Sequence, residues 1–351
     1  MTMRQVKKET QMTDGIDIAA VADWVDGRLP GLAAGVRVQR FDVGQSNPTF
    51  RLTTPAGDYV LRRKPGGVLL KSAHAIEREF AVQRALRNTD VPVPRMHLLC
   101  EDPEVIGAPF YIMDHVDGRS FDDPRLPDRT PQDRAAIMDA MNATLAAIHD
   151  VDLDAVGLAD YGPGGDYYAR QIGRWVKQYR ATATEEIPAM DRLIAWLEAN
   201  RPPDDGRRTL VHGDYRIDNL LFAPEGTDVV AVLDWELSTL GHPFADLAAV
   251  IMQWRMPQGP DGRGLAGVDR AALGLPTDAE FIAAYCRRRG IDGIDGFGFY
   301  LAFCFFRMGA ILQGVKKRGR EGNASNPEKA AKLGSYVPLF AQNGLDAAHD
   351  H

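Results

Sequence analysis

The sequence is poor in cysteine, in long hydrophobic runs and in net positive charge. Its three cysteines, Cys100, Cys286 and Cys304, are widely spaced and match neither a disulfide framework nor a metal-ligand pattern, which favours an intracellular chain with reduced thiols. No stretch approaches the 18 or more apolar residues of a membrane span. The formal net charge is −7, whereas a nucleic-acid-binding protein usually carries a basic excess. We therefore expect neither a nucleic acid nor a membrane as partner.

The first fifteen residues, MTMRQVKKETQMTDG, are charged and lack the apolar segment of a signal peptide. We expect a frayed tail here and a cytoplasmic location. With 351 residues, of which 45% are hydrophobic, the chain is long enough for two lobes, each with its own apolar core.

Short β-rich segments dominate the first third of the chain. From Gly35 to Arg63 the pattern predicts three antiparallel strands, VRVQRF, TFRLTT and DYVLRR, separated by the turns VGQSNP and PAGD. An amphipathic helix is predicted before them, over Asp17 to Arg28, and another after them, over about Ala73 to Arg87. The segment APFYIMDHV (108–116) is typical of a buried strand that leads into a connector.

Helical periodicity dominates from Thr130 onward. Thr130 is a suitable N-cap with Pro131 at the first helical position. Further helices are predicted over 166–182, 188–200, 243–255, 277–289, 297–316 and 326–342, and short strands over TLVH (209–212), NLLF (219–222) and VVAVLD (229–234). The sequence thus predicts an α+β, two-lobed fold.

Three regions follow from this division. An N-terminal tail and helix occupy 1–34, and a small antiparallel β lobe with one helix occupies 35–116. A larger helical C-terminal lobe occupies 117–345.

The segment VHGDYRIDNLLFAPEGTDVVAVLDWE, from Val211 to Glu236, carries the most informative pattern. Asn219 follows Asp214 by five residues, and Asp234 comes fifteen residues later at the end of an apolar run. A phosphoryl transfer needs a carboxylate that orients and deprotonates the attacking hydroxyl, and oxygen ligands that hold Mg²⁺ on the β- and γ-phosphates. Kinases place an Asp, an Asn and a later Asp in this order.

These residues resemble the aminoglycoside phosphotransferase and choline kinase family, whose mark is HGDxxxxN followed by DW or DF. The strings DWELSTLGHPFADLA and FCFFRMGAILQG resemble one branch, which includes kinase domains fused to acyl-CoA dehydrogenases in larger proteins. The resemblance extends over about residues 35 to 340. It implies a protein-kinase-like fold with ATP and Mg²⁺ as cofactors. It also implies that Asp214 is the catalytic base and that Asn219 and Asp234 are magnesium ligands.

Two further residues in or near the segment from Val211 to Glu236 are given structural roles. Asp246, in GHPFADLA, matches a family Asp that braces the catalytic loop, and its position at the start of an apolar helical run would also let it cap that helix. His212 is interpreted as a buried, hydrogen-bonded residue that orients the loop rather than as a general base.

The turn VGQSNP takes the place of the kinase phosphate-covering loop, although it contains only one glycine. Gln45, Ser46 and Asn47 would offer backbone N–H groups and a hydroxyl to phosphate oxygens. In the connector, the resemblance implies that backbone groups of Asp114 and Val116 contact adenine.

A cation on the third strand is expected to hold the α- and β-phosphates. Alignment with the family places Arg62 there, where many relatives carry Lys, and strand alternation puts Val60 and Arg62 on one face. An Arg can bind phosphate bidentately, and Lys64 is the fallback. The partner on the following helix is predicted to be Glu79, with Glu77 as second choice.

The acceptor is indicated only by charge and by the branch resemblance. From Arg255 to Arg320 there are eleven Lys and Arg against six Asp and Glu, an excess of +5. A basic lobe would attract an anionic acceptor and repel a polycation. We therefore expect an anionic small molecule with a hydroxyl group, such as a hydroxyacyl thioester of coenzyme A. An aminoglycoside or choline-type acceptor is the alternative, and the charges could equally form a solvated face.

Other functions remain open at this point. A nucleotide-binding regulator without transfer activity could share the fold, and a metal hydrolase could use His212, Asp214, Asp234 and His242. A protein kinase is disfavoured because DWE replaces DFG and no APE motif follows. The sequence gives no indication of oligomeric state.

Overall fold

The computed structural model describes residues 12–13, 15–29, 32, 36–41, 47–65, 75–259, 262–324 and 326–349. The predicted tail lies almost entirely outside the described residues, as do Gln45, Ser46 and the first residues of the helix predicted from Ala73. The chain divides into two compact units. The first comprises Met1–Arg119 and Leu221–Leu237, and the second comprises Ser120–Leu220 and Ser238–His351.

The secondary structure follows the chain in this order. The strands are β1 (Met12–Thr13), β2 (Ile16–Asp17), β3 (Arg37–Arg40), β4 (Thr49–Thr54), β5 (Gly57–Arg63), β6 (Met96–Cys100), β7 (Phe110–Asp114), β8 (Thr209–Val211), β9 (Leu220–Phe222), β10 (Val229–Val232), β11 (Thr239–Gly241), β12 (Gln258–Gly259) and β13 (Gly262–Arg263). The helices are α1 (Ile18–Val25), α2 (Ile76–Leu86), α3 (Pro131–Asp150), α4 (Tyr167–Thr182), α5 (Pro188–Ala199), α6 (Phe244–Trp254), α7 (Arg270–Leu273), α8 (Asp278–Arg289), α9 (Phe297–Arg320), α10 (Pro327–Gly334) and α11 (Val337–Ala347). Two 3-10 helices cover Ile217–Asn219 and Trp235–Leu237.

The first unit contains a five-stranded antiparallel sheet in the order β3-β4-β5-β7-β6. The predicted meander is confirmed as β3 to β5, whereas the edge strand β6 was not predicted. One face of the sheet packs against α1 around Phe50 and Leu61. The other face packs Val60 and Tyr111 against α2. Because side chains alternate along β5, Arg62 lies on the same face as Val60, toward α2.

The second unit is built around α9. This helix is long and apolar enough to cross a membrane by length and composition, yet 78% of its apolar window is buried within the protein. It packs against α4, α6, α10 and α11, so the apolar run that includes FCFF is accounted for as a core helix. At the start of α3, Thr130 caps the helix as predicted, since its side chain accepts a hydrogen bond from the Asp133 N–H.

The single helix predicted over 326–342 is wrong, because the structure has two helices, α10 and α11, in this region. Pro338 lies in the first turn of α11. A proline cannot donate to the carbonyl four residues earlier, and its ring clashes with that carbonyl, so α10 cannot continue through it. The break therefore falls at Ser335 and Tyr336.

Two glycines that end helices give a matched stability test. Gly274 ends α7 with φ +73°, and a Cβ there would lie 2.4 Å from the carbonyl oxygen of Pro131. Gly290 ends α8 with φ +62°, and a Cβ there would meet nothing within 4 Å. Left-handed backbone costs an alanine about 1–2 kcal/mol, so Gly290→Ala should lose about that much stability.

Gly274→Ala should lose clearly more, because the backbone of Pro131 must also move. Urea unfolding of both variants at an unchanged m-value measures the difference. Equal losses would show that the close approach to Pro131 carries no energetic cost.

Candidate active site

The loop that follows β8 brings Asp214 and Asn219 together within the second unit. The strand β8 pairs with β11, and the loop ends in the 3-10 helix that contains Asn219. The Asn219 amide nitrogen donates to the Asp214 carbonyl oxygen at 2.8 Å and to Asp214 Oδ2 at 3.3 Å. Both contacts require the NH₂ group, so the amide oxygen of Asn219 faces away from them and can serve as a ligand.

A buried carboxylate, Asp246, holds the start of this loop. It accepts the backbone N–H of His212 at 2.6 Å and that of Gly213 at 2.8 Å. Burial alone would raise its pKa, but hydrogen bonds from His149 and from the Gly213 backbone lower the pKa below the usual value. The predicted bracing contact is therefore present.

The predicted capping role of Asp246 is wrong. The residue is the third of α6, and the N-cap is Pro243, which makes no side-chain cap. The carboxylate is occupied instead by the two N–H groups of the loop, which satisfy a buried charge better than its own helix end could.

His149 supports Asp246 from α3 and was not identified from the sequence. Its Nε2 lies 3.4 Å from Asp246 Oδ2, and its Nδ1 lies 2.7 Å from the Tyr285 hydroxyl. Burial lowers the pKa of His149, which favours the neutral ring, with Nε2–H donating to Asp246 and Nδ1 accepting from Tyr285. The only available signal was one histidine in the apolar stretch AAIH at the end of α3.

His212 occupies the place that the sequence predicted. It is fully buried, and its Nδ1 accepts the backbone N–H of Asp214 at 3.3 Å. The ring therefore orients the loop by hydrogen bonding.

Two arginines lie close to this loop. Arg216 was not identified from the sequence, and Arg263 was included only in the basic segment from 255 to 320. Arg216 lies 3.5 Å from Asp214 Oδ2 and 3.2 Å from Asp218 Oδ2. Arg263 pairs with Asp218. The Asp214 side chain keeps 32% of its surface exposed, so a substrate can approach it while these cations lie alongside.

A cavity of about 590 Å³ opens next to Arg263 in the same unit. Its volume lies in the range of small-molecule sites. Its lining carries charges of both signs, and the residues are Asp122, Asp123, Pro124, Arg125, Gln258, Gly259, Arg263 and Gly264.

In the first unit, Arg62 forms two ion pairs on one face of the sheet. Its Nε lies 3.1 Å from Glu79 Oε2 on α2, and its Nη2 lies 2.8 Å from Asp234 Oδ1. The fallback Lys64 pairs with Glu77 instead. The structure thus brings together the first choices of the sequence analysis, Arg62 and Glu79, and adds Asp234 to them.

Asp234 follows β10 in an uncommon backbone conformation. Its φ is +64°, in the left-handed region that disfavours residues other than glycine, although Asp is among those that tolerate it best. The next residue, Trp235, is fully buried and donates from Nε1 to the Val232 carbonyl at 3.0 Å. Such strained positions concentrate at functional sites.

The remaining predicted nucleotide contacts have different settings. Asn47 is buried, and its amide nitrogen lies 3.4 Å from Glu236 Oε2, while Ser46 lies outside the described residues. The Asp114 N–H donates to the Arg95 carbonyl at 2.9 Å, so this N–H is not available to adenine. For Val116, no backbone hydrogen bond occurs in the part of the chain that the structure describes.

The metal-hydrolase alternative finds no support. Within the described ranges, no group of three or more His, Cys, Asp or Glu side chains could hold a metal ion. His242, which that alternative required, lies 3.3 Å from Asp205 Oδ2 and stacks against Tyr300.

The basic residues of the segment from 255 to 320 are mostly neutralised by carboxylates. Arg255 and Arg270 pair with Asp278, Arg288 with Asp139, Arg289 with Asp150, and Lys316 and Arg320 with Glu185. Three of these four acidic partners lie outside the segment, so the local excess of +5 does not correspond to an uncompensated basic surface.

Comparison with known proteins gives a consistent result. Residues 37–300 match the model of the phosphotransferase enzyme family. The chain is 49% identical over 343 residues to acyl-CoA dehydrogenase family member 10 of Mus musculus. That alignment covers 97% of this chain and 32% of the mouse protein. The chain spans less than half the length of the curated relatives reported for it, 32% of the first and 43% of the second.

Solved structures give the same fold. A Ralstonia eutropha protein described as an aminoglycoside phosphotransferase is 47% identical with a TM-score of 0.87, over 95% of this chain and 98% of that one. A thermostable mutant of aminoglycoside phosphotransferase APH(4)-Ia, in complex with ADP and hygromycin B, is 16% identical with a TM-score of 0.63, over 94% and 98%. The predicted α+β, two-lobed kinase-like fold is confirmed.

The raised pKa of the buried Glu79 leads to a prediction for how the stability of the protein depends on pH. Burial raises the pKa of Glu79 to about 7, against the lowering effect of Arg62. Between about pH 4.5 and 7 the folded protein therefore keeps a proton that the unfolded chain releases, and the free energy of unfolding falls as the pH rises through this window. Glu79→Gln should remove this slope in a series of thermal melts.

Glu77→Gln is the matched control. It removes a carboxylate from the same helix, α2, but leaves Glu79 in place, so it should keep the wild-type slope. If the melting temperatures of Glu79→Gln and the wild type change with pH by the same amount from pH 4.5 to 8, Glu79 does not titrate in this range.

Proposed function

The chain belongs to the phosphotransferase enzyme family, and from that premise we propose that it transfers the γ-phosphoryl group of ATP, with Mg²⁺, to a hydroxyl of a small molecule. The observation that carries this proposal is the loop of the second unit. There the partly exposed Asp214 accepts hydrogen bonds from the Asn219 amide. The two preceding residues, His212 and Gly213, donate their backbone N–H groups to Asp246. The motif resemblance to the aminoglycoside phosphotransferases and choline kinases is consistent with this family.

Asp214 is proposed as the base. A general base must lie within hydrogen-bond reach of the proton that it accepts, and Asp214 is oriented by bonds to both its backbone and its carboxylate. Because the loop is fixed before substrate arrives, little reorganisation is needed at the moment of transfer. The neighbouring Arg216 supplies positive charge where the phosphoryl group would be transferred.

Asn219 and Asp234 are proposed as magnesium ligands. Both offer oxygen atoms, the donors that Mg²⁺ prefers, and the hydrogen bonds of Asn219 direct its amide oxygen away from Asp214. When bound, the ion would neutralise charge on the phosphates. Each residue is assigned by its position in the motif.

The nucleotide is assigned to groups of the first unit. Arg62 is proposed to hold phosphate oxygens, with Glu79 orienting its guanidinium. Asn47 and Ser46 would contact the phosphates. Adenine would meet the backbone of Val116 and the carbonyl of Asp114, since the Asp114 N–H is bonded to the Arg95 carbonyl. Support for a nucleotide donor comes from the fold neighbour APH(4)-Ia, which is described with ADP.

The acceptor is proposed to be an anionic hydroxyacyl metabolite, either a free hydroxy acid or its thioester with coenzyme A. The support is the name of the curated relative, an acyl-CoA dehydrogenase family member. A kinase joined to such an enzyme would share acyl substrates with it. The dehydrogenase activity itself is not transferred to this chain, which covers 32% of that protein.

A cationic acceptor, such as an aminoglycoside or choline, is the second candidate. Asp122 lines the 590 Å³ cavity and would suit a positively charged molecule, whereas the neighbouring Asp123 is paired with Arg125. The fold neighbour described with hygromycin B supports the same candidate.

A panel of acceptors decides between the two candidates. With Mg-ATP, ADP release should appear with hydroxy acids or hydroxyacyl-CoA and be absent with aminoglycosides and choline. Activity confined to the cationic acceptors would contradict the anionic assignment. Thermal stabilisation by Mg-ATP with no ADP release across the panel would favour a regulator without transfer activity.

Substitution of the two aspartates should separate chemistry from nucleotide binding. Asp214→Asn removes the base and should lower kcat by about 10²- to 10⁴-fold, with Mg-ADP affinity nearly unchanged. Asp234→Asn removes a charged oxygen ligand and should weaken Mg-nucleotide binding instead. Calorimetric titration with Mg-ADP, together with the ADP-release assay, measures both effects. Equal loss of nucleotide binding in the two variants would contradict the separate roles.

A further inference from the structure

Arg307, in the middle of the core helix α9, contacts the loop that carries the proposed base. Its Nη2 donates to the carbonyl oxygen of Gly213 at 2.9 Å, and Gly213 directly precedes Asp214. The guanidinium carbon lies 5.9 Å from the ring centroid of Trp175 on α4. Arg307 is half-buried, so its charge is partly removed from water.

Among the described half-buried cations between 255 and 320, Arg307 differs from the others in lacking a carboxylate partner. The other half-buried cations between 255 and 320 form ion pairs, namely Arg255, Arg270, Arg289, Lys316 and Lys317. Throughout the described part of the chain, no acidic side chain forms an ion pair with Arg307; its recorded contacts are the Gly213 carbonyl and the Trp175 ring.

A partly buried cation without a counter-charge gains from a ligand that supplies one. Removing a charge from water has a large cost that a single neutral carbonyl does not offset. A guanidinium has five N–H donors in a planar fork, and the recorded hydrogen bond uses one of them. The remaining donors match the geometry of a carboxylate or a phosphate, which an arginine binds with two parallel bonds.

We propose that Arg307 binds an anionic group of the acceptor. Consecutive Cα atoms are about 3.8 Å apart, so the carbonyl that Arg307 contacts is next to Asp214 and the bound anion would lie within a few atoms of the reacting hydroxyl. This inference rests on the proposed function and narrows it. It favours a short hydroxy carboxylate over a thioester whose negative charges are confined to the distant phosphates of coenzyme A.

Two other roles are compatible with the same contact. Arg307 could serve only to brace the Gly213 carbonyl, or its free donors could contact the transferred phosphoryl group rather than the acceptor. Each role has a different signature. A brace or a phosphoryl contact acts on every acceptor alike, whereas an acceptor contact acts only on acceptors that carry the anion.

The test compares two acceptors of nearly equal size and shape, 3-hydroxybutyrate and its uncharged primary amide. Arg307→Gln keeps an N–H donor for the Gly213 carbonyl but removes the charge, and Arg307→Lys keeps the charge without the planar fork. Arg287→Gln is the matched control, because it removes one charge from an exposed position in the same basic segment. Thermal melts establish whether each variant is folded. If Arg307→Gln does not fold, the comparison with the wild type is made with Arg307→Lys alone.

The expected result is a selective loss of affinity for the anion. Arg307→Gln should raise KM for the carboxylate by about 10- to 100-fold, the effect of losing a charge-assisted hydrogen bond, while KM for the amide and both kcat values stay within about threefold. The KM of Arg307→Lys for the carboxylate should lie between those of the wild type and Arg307→Gln. The KM of Arg287→Gln should match that of the wild type. Equal changes for the two acceptors, or no change for either, would overturn the proposal.

A binding measurement keeps this test separate from the proposed function. Calorimetric titration of each acceptor in the presence of Mg-ADP needs no turnover. Preference of the wild type for the carboxylate, lost in Arg307→Gln, supports the inference even if no ADP is formed in the transfer assay. Absence of any preference overturns the inference even if transfer occurs.

Discussion

The carboxylate of Asp246 is the constraint on which the second unit's chemistry depends. A loop that must present Asp214 to solvent cannot be packed rigidly from both sides, so its conformation has to be fixed from behind. Asp246 does this by accepting the N–H groups of His212 and Gly213, and the buried His149 and Tyr285 complete its hydrogen bonding. Because a buried carboxylate without partners is costly, the loop and the network stabilise each other. The partly exposed Asp214, the proposed base, is held in place because the buried carboxylate behind its loop has its hydrogen-bond partners.

In the first unit the proposed phosphate-binding residue, Arg62, lies in a cluster of ion pairs. Arg62, Glu79 and Asp234 form a cluster with one positive and two negative side chains. Burial already raises the pKa of Glu79 to about 7, so the cluster is short of positive charge near neutral pH. A site of this kind gains from a further cation. Because breaking a buried ion pair is costly, Arg62 would keep Glu79 as its partner and would bind a phosphate with its remaining donors.

The sequence predicted the elements that depend on local periodicity, and it failed where tertiary contacts decide. The strands β3 to β5 and the helix α3 with its Thr130 cap are local patterns and were predicted correctly. Asp246 was correctly paired with the loop through resemblance, but its apparent capping position was misleading because its hydrogen bonds go to residues more than thirty positions earlier. His149 could not be identified at all, since a single histidine in an apolar helix gives no indication of its partner. The roles of Asp214, Asn219 and Asp234 stay predictions.

Counting charges along a segment also proved a poor guide to the acceptor. The excess of +5 between 255 and 320 suggested a basic surface, yet Asp139, Asp150 and Glu185, all outside that window, neutralise several of its members. Ion pairs between exposed residues add little stability, but they do remove the field that would attract an anion from a distance. What distinguishes one acceptor from another is then not the sum of the charges but a half-buried cation of this segment that no carboxylate neutralises. Arg307 meets that description within the described residues, and it lies against the loop where the reaction would occur.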